Sequence, residues 1–146
     1  MIEVHAGFRI NASASDVWAL VNWSGIEALS GKVFFNAVTF SSREPVLGAT
    51  RTMTPTAGGS PFTEVLLSYD EGARRYRYGV LDGGDLPLGD YTGQLCVTPA
   101  GNRASTLCFS SRLVPIGMTA AEFQTFYSAA EQSIADAVTE ILGCAA

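Results

Sequence analysis

Residues 118–142, MTAAEFQTFYSAAEQSIADAVTEIL, carry Phe123, Tyr127, Ala130, Ile134, Val138 and Ile141 at spacings of three and four. That is the period of an amphipathic helix with one broad apolar face. Thr119, followed three residues later by Glu122, predicts a capping box at its start, and Gly143 a stop at its end. At a rise of about 1.5 Å per residue such a helix spans roughly 35 Å, the width of a small domain. Gln124, Ser128, Gln132, Asp136 and Glu140 make the other face polar. A helix this long must lay its apolar side on something, and nearly everything before it reads as strand.

Residues 2–10, IEVHAGFRI, alternate with Ile2, Val4, Ala6, Phe8 and Ile10 on one face, a half-buried strand. Ser13 or Ser15 can cap a short helix that includes Asp16, Val17, Trp18, Leu20 and Val21, and residues 23–29 predict a second. Six strands follow, at 33–40, 48–54, 62–69, 74–81, 91–98 and 103–113. The loops between them are rich in Gly, Pro, Asp and Asn. Connections this short pair strands antiparallel, because a parallel crossover needs a dozen or more residues. The expected architecture is α+β: a seven-stranded antiparallel sheet, curved around the long C-terminal helix, with two short helices after the first strand. The whole chain of 146 residues reads as one domain. A deep curl would leave a cavity between sheet and helix where a filled core would otherwise be.

Composition excludes several function classes. Nine Lys plus Arg against fourteen Asp plus Glu give a net charge of -5, and Lys32 is the sole lysine. No basic cluster exists to neutralise phosphates, so nucleic acid is not an expected partner. No stretch has the apolar length that crossing a bilayer requires, and the N-terminus lacks a basic region followed by an apolar run. The expectation is a cytoplasmic protein without membrane insertion, a monomer or a weak homodimer. Cys96, Cys108 and Cys144 show no metal-ligand spacing and read as two small core or pocket residues and a tail thiol. A bridge between Cys96 and Cys108 on neighbouring strands is conceivable. The single histidine, His5, falls on the polar face of the first strand, which leaves no Ser/His/Asp or Cys/His nucleophile set. The glycine-rich stretches 57–60 and 82–85 match neither a phosphate-binding loop nor a dinucleotide fingerprint. They read as mobile loops able to lid an opening. No metal or cofactor is expected.

Polar residues on the inward faces of strands mark where chemistry could sit. Glu64 shares a face with Phe62 and Leu66, and an inward carboxylate there would be desolvated or would hold an amine, hydroxyl or water network. The alternation also allows Thr63, Val65 and Leu67 to face in, and by itself slightly favours that choice. Tyr91, Gly93, Leu95 and Val97 form the natural inner face of their strand; Tyr91 then offers a phenol at a cavity mouth, with Gly93 leaving room beside it. Ser110 and Ser111 put one hydroxyl on each face of the last strand. Tyr76 and Tyr78 alternate with Arg75 and Arg77, whose side is the solvated one, and Arg51 among threonines raises the question of an inward cation.

The order of elements, with ASASDVWALV near the start, the central GATRTMTPTAGGSPFTEVLLSYDEGARRYRYGVLDGGDLPLGDYTGQLCVTPAGNRASTLCFSSRLVP and the helix after it, resembles the helix-grip fold of the START/Bet v 1-like (SRPBCC) superfamily. Within it, the chain looks most like bacterial polyketide cyclase/dehydrase-like proteins. The resemblance spans essentially the whole chain and speaks to fold more than to activity. It implies a deep, largely apolar cavity between sheet and last helix, with Glu64 pointing inward. By similarity to plant abscisic-acid receptors, Glu64 and Tyr91 fall at ligand-contacting positions, residues 57–61 at a gate loop, 83–88 at a latch, and Ser110 at a last-strand polar position. The receptors' basic anchor has no match: Lys32 lies outside the strand and Phe34 and Phe35 occupy the region. By similarity to aromatic polyketide cyclases, Glu64 would act as general base and Tyr91 as proton donor.

Two functions follow as expectations. The first is binding of a small hydrophobic or aromatic, polyketide-like molecule by Phe62, Glu64, Leu66, Tyr78, Tyr91, Leu95, Phe109, Ser110, Phe123, Tyr127, Ala130 and Ile134. The second is a cyclase or dehydratase using Glu64 and Tyr91. Ala129, Ala130 and Ala137 on the helix would set the room a ligand has.

Overall fold

A computed structural model describes residues 1–144. Seven strands form one antiparallel sheet: β1 (Ile2–Ile10), β2 (Phe35–Phe40), β3 (Thr50–Pro55), β4 (Phe62–Asp70), β5 (Arg75–Asp82), β6 (Leu88–Pro99) and β7 (Ser105–Pro115). Their spatial order is β1-β7-β6-β5-β4-β3-β2. Strands β2 to β7 are a pure meander, as their short turns require. Strand β1, detached from the meander by the helical segment, closes the far edge against β7.

Between β1 and β2 stand α1 (Ala14–Val21) and, in place of the expected second α-helix, a 3₁₀ helix at Gly25–Leu29. Ser13 caps α1 by accepting from the Asp16 N–H at 3.2 Å. The tight turn into the 3₁₀ segment depends on Gly25, since a Cβ there would lie 2.1 Å from the Ala19 carbonyl oxygen. Helix α2 (Ala120–Leu142) opens with the capping box in both directions: Thr119 Oγ1 accepts from the Glu122 N–H, and Glu122 Oε1 from the Thr119 N–H. It ends at Gly143 in the left-handed conformation, φ 66°, where a residue without Cβ is least strained.

Helix α2 lies along the concave face against β1, β7 and the short helices. Register breaks in β4 (between Leu66 and Ser68) and β6 (between Gly89 and Thr92) interrupt the ladder; such bulges bend a strand and sharpen its twist. The helix packs on β1 and β7, and the middle strands of the sheet stand away from it. At one end Trp23, Leu29 and Val21 are fully buried, and Trp23 stands edge-on to Tyr76 at 6.4 Å. At the other end sheet and helix part.

Two expectations about faces need correction. Ile141, counted on the apolar stripe of α2, is 39% exposed, while its neighbour Leu142 packs against the core. Cys96 and Cys108 sit on the outer face of the sheet, away from core and cavity. They are direct cross-strand partners, and all three cysteines are free thiols. No helix among the described residues is long and apolar enough to cross a membrane.

Candidate functional site

The gap between sheet and α2 is a cavity of about 470 Å³. Aromatic and aliphatic side chains make most of its wall: Phe62 from β4, Tyr78 from β5, Tyr91 and Leu95 from β6, Phe109 from β7, and Phe123, Tyr127, Ala130 and Ile134 from α2. Tyr76, Tyr78 and Tyr91 step across β5 and β6 with ring centroids 6.0 Å apart at each step. The row depends on Gly93, the cross-strand partner of Tyr78. A Cβ on Gly93 would lie 2.6 Å from the Tyr78 ring, so the glycine seats that ring and its side-chain space is not open room.

Arg51 and Glu64 face each other across β3 and β4. Arg51 is 2% and Glu64 9% exposed, and Arg51 Nε donates to Glu64 Oε1 at 2.8 Å. The guanidinium also donates to the Trp23 carbonyl at 2.9 Å and to the Tyr76 hydroxyl at 3.3 and 3.4 Å, and it lies 4.5 Å from the centre of the Trp23 ring. The Tyr76 hydroxyl donates onward to the Val21 carbonyl at 2.8 Å. Burial alone would lower the Arg51 pKa, but Tyr76 and Glu64 outweigh it and hold the group above its ordinary value. This is a closed network with its cation fully engaged.

A second polar group lies toward the helix. The Tyr91 hydroxyl and Ser111 Oγ are 2.6 Å apart, and Ser111 Oγ and the Tyr127 hydroxyl 3.0 Å, a three-member chain linking β6, β7 and α2. Burial first, and then nearby negative charge, pushes both phenols above their ordinary range. One turn beyond Tyr127 stands Glu131, 6% exposed and on the cavity wall. Its Oε2 is the one buried side-chain nitrogen or oxygen among the described residues without a hydrogen-bond partner. Burial pushes this carboxyl up from 4.5 to about 8, with the Glu64 charge adding and Arg51 opposing.

Two loops frame the mouth. Ala57, Gly58 and Ser60 come from the β3–β4 connection, and Asp85, Leu86 and Pro87 from the β5–β6 connection. They meet where Asp85 Oδ2 accepts from the Ser60 N–H at 2.9 Å. Gly84 permits this approach: it has φ 56°, and a Cβ there would lie 2.6 Å from the Pro61 carbonyl oxygen.

Residues 1–141 match the family described as polyketide cyclase / dehydrase and lipid transport. The chain belongs to that family. No curated protein matches it in sequence. Among solved structures it is similar to a protein of Thermobifida fusca, at TM-score 0.75 and 26% identity over 96% of this chain and 95% of that one. It is also similar to XoxI from Bacillus cereus, at TM-score 0.76 and 18% identity over 97% and 98%. Norcoclaurine synthase from Thalictrum flavum matches at TM-score 0.73 and 19% identity over 97% and 86%. At such identities the last two likenesses speak to the fold alone.

In this member of the polyketide cyclase/dehydrase family, ten of the twelve residues picked from sequence border the cavity: Phe62, Glu64, Tyr78, Tyr91, Leu95, Phe109, Phe123, Tyr127, Ala130 and Ile134. Glu64 points inward, against what the alternation alone favours and as the family resemblance implies. Leu66 is buried but lies in the solid core beyond the cavity. Ser110 is the other correction: it faces outward beside His5 and Gln94 on the far side of the sheet, and Ser111 is the hydroxyl on the cavity side. Of the three helix alanines, Ala130 borders the cavity, Ala129 is exposed and Ala137 is buried away from it. Arg75 and Arg77 are exposed, as expected. Arg51 is the inward cation, and Glu131 is a wall residue that sequence reasoning passed over. Its signal was spacing: Glu131 is four residues after Tyr127 and three before Ile134, squarely on the apolar stripe.

Proposed function

We propose that this protein binds a small hydrophobic or aromatic molecule in the cavity between sheet and α2. The single observation behind this reading is a cavity of about 470 Å³ with aromatic walls and a few inward polar groups, framed at its mouth by two loops that touch. A ligand site is commonly an apolar concavity of this size with sparse polar groups that set orientation. The structural neighbour norcoclaurine synthase is known in complex with dopamine and hydroxybenzaldehyde, small aromatic molecules held by that protein. The test is titration with fused-ring aromatic and polyketide-like compounds, followed by Ala130→Phe. We expect micromolar binding by the unaltered protein and at least tenfold weaker binding by Ala130→Phe, which fills space without touching a polar group. Absence of binding below millimolar across the panel would overturn the reading.

Acid–base catalysis on a polyketide-like substrate is the second reading, with Glu64 as base and Tyr91 as donor. It is favoured by the Tyr91–Ser111–Tyr127 hydroxyl chain, which could pass a proton along the cavity wall. Against it stands the engagement of Glu64 by Arg51, which holds that carboxylate in a fixed ion pair. Unchanged turnover in both Glu64→Gln and Tyr91→Phe would remove it.

A further inference from the structure

Ligand binding in this cavity, on which this inference rests, leaves open the charge of the ligand. The wall carries four ionisable acids and bases of opposite sign: Arg51 against Glu64, Glu131 and, at the mouth, Asp85. Arg51 has no charge to offer, since its guanidinium is held by Glu64, Tyr76 and the Trp23 carbonyl. Asp85 is engaged by the Ser60 N–H. Glu131 alone has an oxygen, Oε2, buried and without a partner. A buried carboxyl without a partner is costly, and the wall sets a single base against three carboxyls.

The groups whose charges act on Glu131, or are acted on by it, come from four strands and from α2 itself: Arg51 of β3, Glu64 of β4, Tyr76 and Tyr78 of β5, Tyr91 of β6 and Tyr127 of α2. Four of these six are aromatic rings, whose faces attract cations. An acidic ligand would meet three carboxyls and no free base. A neutral alcohol can pair with the carboxyl while Glu131 keeps its proton, but does nothing to compensate the charge once that proton leaves, above about pH 8.

We propose that the ligand is a monocation, an apolar or aromatic body carrying one protonated amine, and that this amine pairs with the Glu131 carboxylate. At neutral pH Glu131 holds a proton, because burial raises its pKa to about 8. Binding therefore sends that proton to solvent: the O–H bond of the carboxyl breaks, the ammonium keeps all its protons, and the neutral acid is replaced by an ion pair. No net charge is added to the cavity.

The test uses 1-naphthylmethylamine, 1-naphthylmethanol and 1-naphthoate, which share one ring system and differ in charge. At pH 8 the amine is expected to bind at least tenfold tighter than the alcohol, and naphthoate more weakly than either. Between pH 8 and pH 6 the amine affinity is expected to fall about fifty-fold as Glu131 takes up its proton, while the alcohol affinity stays level. Glu131→Gln should erase the preference for amine over alcohol and its pH dependence. Equal affinities for amine and alcohol, a pH-independent amine affinity, or naphthoate as the tightest of the three would overturn the inference and leave the cavity reading standing. Failure of all three probes to bind would overturn the cavity reading itself, and this inference with it. Should Glu131→Gln not fold, the pH series on the unaltered protein still decides.

Discussion

The two polar clusters on the cavity wall use the same kinds of residue and end in opposite states. The Arg51 cluster brings a guanidinium, a carboxylate and a phenol together with two backbone carbonyls, and its short-range bonds close on one another. The Glu131 side brings a carboxyl, two phenols and a serine together; the hydroxyls pair among themselves and the carboxyl oxygen is left over. Buried polar networks rigidify a fold when every member is satisfied, and are costly when one is not. The first cluster is therefore architecture, fastening the loop at Trp23 to the sheet. The second is left open at a cost to the folded state, which agrees with the ligand role proposed for Glu131.

Breaking the closed cluster should give the largest effect. Arg51→Met strands Glu64 as an unpaired buried charge and is expected to cost about 3–5 kcal/mol, measured by urea denaturation at neutral pH. Adding Glu64→Gln to Arg51→Met should recover part of that loss, because the uncompensated charge goes with it; a double-mutant cycle reads the coupling as about 0.5–3 kcal/mol. A cost under 1 kcal/mol for Arg51→Met would dissolve the contrast between the clusters.

Glu131 should respond in the opposite sense. Its carboxyl ordinarily titrates at 4.5 and in the folded protein near 8. Between these values the folded state holds a proton that the unfolded state has released, so this group's contribution to stability is present below about pH 4.5 and is lost as pH rises towards 8. The expected loss is about 1 kcal/mol per pH unit across that window. Glu131→Met should flatten this slope and, above pH 8, leave the protein as stable as the unaltered chain or more so. Denaturation midpoints at a series of pH values for both proteins compare the two slopes directly.

How far these clusters could be read from the sequence follows from what periodicity encodes. The strands and the capped helix were legible because Thr119, Glu122 and Gly143 act locally, and because alternation in β1 and β6 has one apolar phase. Cavity walls on α2 were legible for the same reason: Phe123, Tyr127 and Ile134 are apolar at helical spacing. The failures are where a polar residue occupies an inward position, since a pattern of apolar residues counts it as outward. Glu64 and Glu131 both fall there, one recovered through family resemblance and the other missed. Arg51 could be suspected, but its partner across the sheet depends on the β3–β4 register, which no local pattern supplies. The 3₁₀ turn that stands in place of the second helix brings Gly25 onto the Ala19 carbonyl, a contact between residues six apart that capping signals do not describe.

The smallest effects sharpen the hydroxyl side of the comparison, where adjacent serines of β7 carry opposite consequences. Ser111 sits between two phenols, so Ser111→Ala leaves both Tyr91 and Tyr127 without their shared partner. Tyr91→Phe removes one end only, and Ser111 keeps Tyr127. Losing one such bond costs about 0.5–1.5 kcal/mol, while leaving buried donors unsatisfied costs more, about 1–3 kcal/mol. Ser111→Ala should thus destabilise more than Tyr91→Phe. Ser110→Ala, on the outer face, should change stability by no more than about 0.5 kcal/mol. The ranking matters more than any one value. If Ser110→Ala matched Ser111→Ala, the assignment of faces on β7 would be wrong, and with it the chain of hydroxyls beside Glu131.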